Sequence, residues 1–222
     1  MSNLNSKEIS WIILDIDNCL YEGFNPDGSF TEYKKHMRGA DENWAVSLTG
    51  DLEGLREYRK QEASIIGMDT SLLKFISSKV GREYGVKDLA IHRCGPKGYC
   101  PQDFLKNDPE LVECLSNIQK KGFKIAAATD NPIGLKVLRI LGIDENLIPD
   151  SLVFDSVRFQ MFKAGEFYKK ILNELEITPE QGVVYGDSEC SDVLAPKSIG
   201  LNAYLAKGRA ELINLLQSHF LE

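Results

Sequence analysis

Three short apolar runs, each stopping at a polar or acidic residue, constrain the fold of this chain more than any other feature. They are Ser10-Trp11-Ile12-Ile13-Leu14-Asp15, Phe123-Lys124-Ile125-Ala126-Ala127-Ala128-Thr129-Asp130 and Gly182-Val183-Val184-Tyr185-Gly186-Asp187. Apolar runs of this length without period-two alternation suit strands buried on both faces, as in a parallel sheet covered by helices. Leu152-Val153-Phe154-Asp155 and Leu201-Asn202-Ala203-Tyr204-Leu205 are weaker versions of the same pattern and would complete a five-stranded sheet. Helical patterns alternate with the strands. Pro109 to Lys121 has its proline in the first turn and Gly122 at the stop, and Pro132 to Leu141 is closed by Gly142. Glu166 to Leu175 and Arg209 to Phe220 follow. This alternation from about residue 109 onward predicts an α/β fold, a doubly wound parallel sheet. Residues 20–108 read differently, with helical stretches such as Leu52 to Ile66 and Ser71 to Val80 and no convincing buried strand. The expected organisation is an α/β core of residues 1–19 and 109–222, with residues 20–108 inserted as a helical domain.

With 222 residues, 43% of them hydrophobic and 27% charged, the chain has ordinary globular composition, which argues against disorder, collagen-like structure or coiled coil. Apolar runs such as Ile125 to Ala128 fall far short of the roughly 20 residues a membrane span needs. The opening MSNLNSKEIS lacks the basic cluster and apolar stretch of a secretory signal, so the expected location is the cytoplasm. A formal net charge of -7 repels polyanions and argues against a nucleic-acid polymer as partner. A small anion is not excluded, because a few cations at contact distance outweigh a diffuse, screened charge. The five cysteines are odd in number and scattered, which fits a reducing compartment. His92, Cys94, Cys100 and Cys114 lack the paired C-x-x-C spacing of a structural zinc site and read as core residues. The basic residues Arg56, Arg59, Lys60 and Arg93 fit either a solvated face or a substrate contact.

In an open α/β sheet, ligands bind beyond the carboxyl ends of the strands, where strand order reverses. Asp15, Thr129 and Asp187 end three of the expected strands, so a doubly wound order would gather them at one cleft. Any one of them taken alone reads as solvation of a strand end. Asp15 and Asp17 are separated by one residue and converge only if the chain turns out of the sheet after Asp15. Such a pair can divide two tasks: one carboxylate attacks phosphorus, and the other protonates the leaving oxygen and then activates water. Anions attacking an anionic ester need a cation between them. Oxygen ligands suit Mg²⁺, and Asp187 is placed to complete its site.

Over nearly its whole length the sequence resembles the haloacid dehalogenase superfamily. Asp15-Ile16-Asp17-Asn18-Cys19-Leu20-Tyr21 is similar to the first motif of that superfamily, and Thr129 after its alanine-rich strand to the second. Lys163 in Phe162-Lys163-Ala164 is similar to the third, and Gly186-Asp187-Ser188-Glu189-Cys190-Ser191-Asp192 to the fourth. The resemblance implies Asp15 as nucleophile and Asp17 as general acid/base. It further implies a phosphate site at Thr129, Asp130 and Lys163, and Mg²⁺ held by Asp15, Asp17 (through its backbone carbonyl), Asp187 and Asp192. Residues 20–108 then become a cap domain, and the substrate a small phosphorylated metabolite. Cys19, Ala164 and Ser191 depart from residues common in the family, but no charged catalytic group is missing.

Asp17 argues for phosphoryl chemistry over dehalogenation, because a halide leaving group needs no protonation. Asn18-Cys19-Leu20-Tyr21, His92, Pro101-Gln102-Asp103 and Lys106-Asn107-Asp108-Pro109 loosely resemble the pyrimidine 5'-nucleotidase-like branch. This makes a pyrimidine nucleoside monophosphate the expected substrate, with Tyr21, Phe24, Tyr33, Trp44 and Tyr58 as rings that could stack on a base or belong to the core. The alternatives are a phosphosugar mutase of the same superfamily and a catalytically idle binding protein that retains the fold.

Overall fold

The computed structural model describes residues 8–49, 53, 100–161 and 163–221. Five parallel strands form one sheet in the order β3-β2-β1-β4-β5: β1 (Trp11–Leu14), β2 (Lys124–Thr129), β3 (Val153–Asp155), β4 (Gly182–Gly186) and β5 (Asn202–Leu205). The continuous apolar runs are explained by cover on both faces, since side chains along a strand alternate between faces. Ile12, Leu14, Ile125, Ala127, Val183 and Tyr185 belong to one buried cluster. Trp11, Ile13, Ala126, Ala128, Val184 and Ala203 belong to the other. Apart from Lys124, every residue of β1, β2 and β4 is buried, so no polar alternation is left in those strands.

The four helices expected from residue 109 onward are present, with ends shifted by a few residues: α2 (Pro109–Lys120), α3 (Gly134–Ile140), α5 (Gly165–Leu175) and α6 (Arg209–Leu216). The last was expected to reach Phe220, but its final turn widens into π-type geometry over Gln217–Leu221. Leu111, Leu115, Val137, Leu138, Leu212 and Leu216 close the first cluster, while Phe167, Tyr168 and Ile171 close the second. Asp108 caps α2 by accepting the Leu111 N–H at 3.1 Å, and Pro109 takes the first turn, where its missing N–H costs nothing. Among the described residues, α1 (Glu32–Thr49) falls in the stretch expected to be helical but had not been delimited, and the single turn α4 (Ser156–Phe159) had no counterpart in the expected set. Apart from Glu53, the expected helices at 52–66 and 71–80, together with Arg56, Arg59, Lys60, His92, Arg93 and Cys94, lie outside the described residues. No helix among the described residues is long and apolar enough to cross a membrane.

β1 lies at the centre, flanked by β2 on one side and β4 on the other, with Leu14 level with both Ala127 and Tyr185. The chain runs outward from β1 to β3, then crosses back to β4 and continues to β5. The strand order therefore reverses at β1, and the carboxyl ends of β1, β2 and β4 share one rim of the sheet.

Candidate active site

Asp15 is the first residue beyond β1. Its N–H donates to the Tyr185 carbonyl at 2.8 Å, so sheet pairing still holds its backbone, and the residue is only 5% exposed. Its Oδ1 accepts from Lys163 Nζ at 2.6 Å, and the same ammonium lies 2.5 Å from Asp192 Oδ1. Lys163 is 3% exposed. Its main-chain N–H donates to Asp130 Oδ1 at 2.8 Å, so the exit of β2 fixes where the lysine enters the site. Asp192 Oδ2 accepts the Ser188 N–H at 3.0 Å, and its Oδ1 accepts the Tyr168 hydroxyl of α5 at 3.2 Å. Ser188, not Asp192, caps the wide turn Glu189–Leu194. A Cβ at Gly186 would stand 2.5 Å from Asp192 Cβ, so only glycine lets this carboxylate pack against the end of β4.

Asp187 Oδ2 accepts from Asn18 Nδ2 at 2.9 Å. One carboxylate oxygen from each of Asp15, Asp187 and Asp192 can be chosen so that all lie within 4.8 Å of one another. Burial, with the neighbouring carboxylates, raises Asp15 well above the usual carboxylate range against the pull of Lys163. Burial and then Asp192 push Asp187 up to about 6, partly offset by the Asn18 amide, Lys34 and Lys163. For Lys163, burial alone would lower the pKa, but Asp15 and Asp192 outweigh it and hold the ammonium well above its usual value. The site thus carries more buried negative charge than one lysine compensates. Its oxygen donors are those a hard dication prefers, so the residues present fit Mg²⁺.

Thr129, the last residue of β2, is 1% exposed and its Oγ1 accepts the Asn131 N–H at 2.9 Å. A Cβ on Gly134 would lie 2.7 Å from Thr129 Cγ2 and 2.8 Å from Ile16 Cδ1, so α3 begins in contact with both strand exits. Beyond Asp15 the chain leaves the sheet in a helical turn, with Leu20 N donating to the Ile16 carbonyl at 3.1 Å and Asn18 at φ 57°. This turn brings half-buried Asp17 to the same rim, where its Oδ1 accepts from Tyr21 Oη at 2.6 Å and Asn131 Nδ2 at 3.0 Å. Sequence reasoning had not assigned Asn18, Asn131, Tyr168 or Ser188. Asn131 sits two residues beyond the strand-ending Thr129, which was the one local signal available for it.

A cavity of about 750 Å³ opens beside Asp187 and Asn18, lined also by Phe24, Asn25, Pro26 and Lys207. Among the rings considered for stacking, Tyr21 and Tyr33 are core residues at 4% and 3% exposure, whereas Phe24 is 47% exposed and lines this cavity. Tyr58 and the side chain of Trp44 lie outside the described residues.

Residues 9–200 match the haloacid dehalogenase-like hydrolase family. The chain belongs to this family. A phosphorylated carbohydrates phosphatase from Thermotoga maritima is 32% identical over 99 residues, a match spanning 45% of each chain and hence just under half the length of that relative. Among solved structures, a protein assigned as a β-phosphoglucomutase from Thermotoga maritima superposes with a TM-score of 0.53 at 22% identity, covering 95% of this chain and 99% of that one. A haloacid dehalogenase-like family hydrolase from Streptococcus pneumoniae gives 0.55 at 16% identity, covering 94% and 91%. At such identities the likeness shows the fold alone, and that fold is the haloacid dehalogenase-type α/β core.

Proposed function

We propose that this hydrolase is a Mg²⁺-dependent phosphatase acting on a small phosphomonoester through an aspartyl-phosphate at Asp15. The observation that carries the reading is the buried Lys163 ammonium, bridging Asp15 and Asp192 at the rim that Thr129 and Asp187 share. Asp15 supplies the attacking oxygen. Asp17 gives a proton to the leaving oxygen, then takes one from the water that opens the aspartyl-phosphate. Thr129 Oγ1 already accepts the Asn131 N–H, so its own proton is left to donate to a phosphoryl oxygen. Asp130 binds through main-chain N–H, its carboxylate being engaged by Lys163. Lys163 contributes a point charge on the phosphoryl group. Asp15, Asp187, Asp192 and the Asp17 carbonyl would hold Mg²⁺, which when bound neutralises charge on the transferring group.

Residues 20–108 serve in this reading as a cap over the core of residues 1–19 and 109–222, excluding water during attack. The free cysteines among the described residues, Cys19, Cys100, Cys114 and Cys190, suit a cytoplasmic enzyme. For the substrate we carry forward a pyrimidine nucleoside 5'-monophosphate, whose base could stack on exposed Phe24. The name of the Thermotoga relative favours a second reading, a phosphorylated carbohydrate. Phosphate release from a panel of nucleotides and phosphosugars, with and without Mg²⁺, tests the function and ranks the two. UMP and CMP should show the higher kcat/KM, and the reverse order retires the nucleotidase assignment while keeping the phosphatase. Recovery of an isomeric phosphosugar in place of free phosphate would mean a mutase. Asp15→Asn should lower kcat by about 10⁴-fold or more, the scale on which removing a nucleophile acts. Near wild-type turnover by that variant removes the aspartyl-phosphate.

A further inference from the structure

The acid/base role of Asp17 leaves a question that its neighbours answer: which of its two oxygens carries the proton, and what holds it there. Both hydrogen bonds given above fall on Oδ1, one from Tyr21 Oη at 2.6 Å and one from Asn131 Nδ2 at 3.0 Å. The Asn131 amide has its orientation fixed by the surrounding bonds, because its Oδ1 accepts the Ile133 N–H at 3.1 Å and its own N–H is anchored on Thr129. Nδ2 therefore faces Asp17 as a donor and cannot reverse. A tyrosine hydroxyl can turn and accept, but an amide N–H cannot.

We propose that Tyr21 and Asn131 are positioning residues for Asp17, committing Oδ1 to acceptance and reserving Oδ2 as the atom that delivers and recovers the proton. The inference rests on the phosphatase reading. In the first step Asp15 forms a bond to phosphorus, the bond from phosphorus to the leaving oxygen breaks, and that oxygen keeps the electron pair and takes the proton from Asp17 Oδ2. In the second, a water oxygen bonds to phosphorus, the bond to Asp15 breaks and returns its pair to the carboxylate, and the water proton passes to Oδ2. Oδ1 is never protonated, so its two bonds persist through both steps. Tyr21 also ties this carboxylate to α1. Its ring packs edge-on against Tyr33 with centroids 5.2 Å apart, and its Oη lies 3.6 Å from Met37 Sδ. The first helix beyond the core thus reaches the proton-transfer group through one phenol.

Tyr21→Phe keeps the ring and removes the donor, and Asn131→Ser removes the second donor from the other side. Each should be assayed on an alkyl phosphate, whose leaving alkoxide must be protonated, and on p-nitrophenyl phosphate, whose leaving group departs without help. For Tyr21→Phe, kcat on the alkyl ester is expected to fall about 10-fold with KM within about twofold, part of the roughly 10² to 10⁴ that acid–base catalysis supplies. The pre-steady-state burst of p-nitrophenolate should keep its wild-type rate in both variants. An equal loss in the burst and in alkyl turnover, or no loss in either, overturns the inference. A shift in KM alone also overturns it. A wild-type protein inactive on both esters with Mg²⁺ present instead removes the phosphatase reading, and this inference with it.

Discussion

Two clusters in this molecule share one composition, a single cation between two carboxylates, and differ in almost everything else. At the sheet rim, Lys163 joins Asp15 and Asp192, and all three side chains are at most 7% exposed. At the junction of α2 and α6, Arg209 joins Asp108 and Glu110, with side chains 24%, 18% and 68% exposed. The outer cluster can borrow water and salt, so breaking it leaves solvated ions. The inner one cannot, and each unpaired charge there must protonate, find a cation or destabilise the fold. Their pKa shifts point in opposite directions accordingly. The hydrogen bond from Arg209 holds Asp108 below the usual carboxylate range, whereas burial raises Asp15 and Asp187 above it.

Lys163→Met should break the comparison hardest. It strands two buried carboxylates, and the loss of one partner from a buried pair costs about 3 to 5 kcal/mol, read as a lowered urea midpoint. Inorganic phosphate should also inhibit the variant less. Unchanged stability together with unchanged inhibition would place Lys163 outside the site.

The second test concerns pH in the metal-free protein. Asp187 binds its proton more tightly in the folded state, at about 6, than the 3.8 it has unfolded. The folded chain therefore holds more protons between those values, and stability must fall as pH rises through that window, by no more than about 3 kcal/mol. Asp187→Asn should flatten this slope and raise the melting temperature at neutral pH. Saturating Mg²⁺ should stabilise wild type, by about 2.7 kcal/mol at 100 times its Kd, and the variant less. A variant with the wild-type slope would show that Asp187 does not carry this strain.

At the outer cluster the sign reverses and the effect is smallest. Stability from Asp108 is present above its unfolded pKa and is lost as pH falls through its lowered folded value. Arg209→Leu, which leaves the cap on α2 in place, should cost less than about 1 kcal/mol at neutral pH and low salt, and less still at high salt. A larger loss in chemical denaturation would mean the junction is more dehydrated than its exposure indicates.

Of the inner cluster, Asp15 was legible from the strand pattern, because the strands at this rim are buried on both faces, whereas Lys163 and Asp192 end no strand and came only with the resemblance to the family's motifs. Burial of that kind writes itself as unbroken apolar runs, and each run visibly stops at Asp15, Thr129 or Asp187. Helix α1 escaped notice for the opposite reason. Lys34, Lys35, Arg38 and Glu42 crowd it with charge, and its buried side, Tyr33, Met37 and Asp41, itself ends in an acid. The partners of Asp17 were out of reach for a third reason. Tyr21 meets it through a turn in which Asn18 adopts a left-handed conformation, and Asn131 because β2 runs two residues past the level of Leu14 before it ends at Thr129, neither of which has a periodic signature.

The central place of β1 also dictates when this molecule can come into being. Of the five strands it is made first, yet its two sheet partners lie more than a hundred residues further along. A ribosome adding residues one at a time would hold Trp11–Leu14 without a sheet partner until β2 emerges, and Asp15 without the Tyr185 carbonyl until β4 does. Such long-range closure is slow and leaves apolar strand open to wrong partners. During synthesis the nascent chain therefore carries its proposed nucleophile throughout, while the enzyme is assembled only when Gly182–Gly186 slots in beside it.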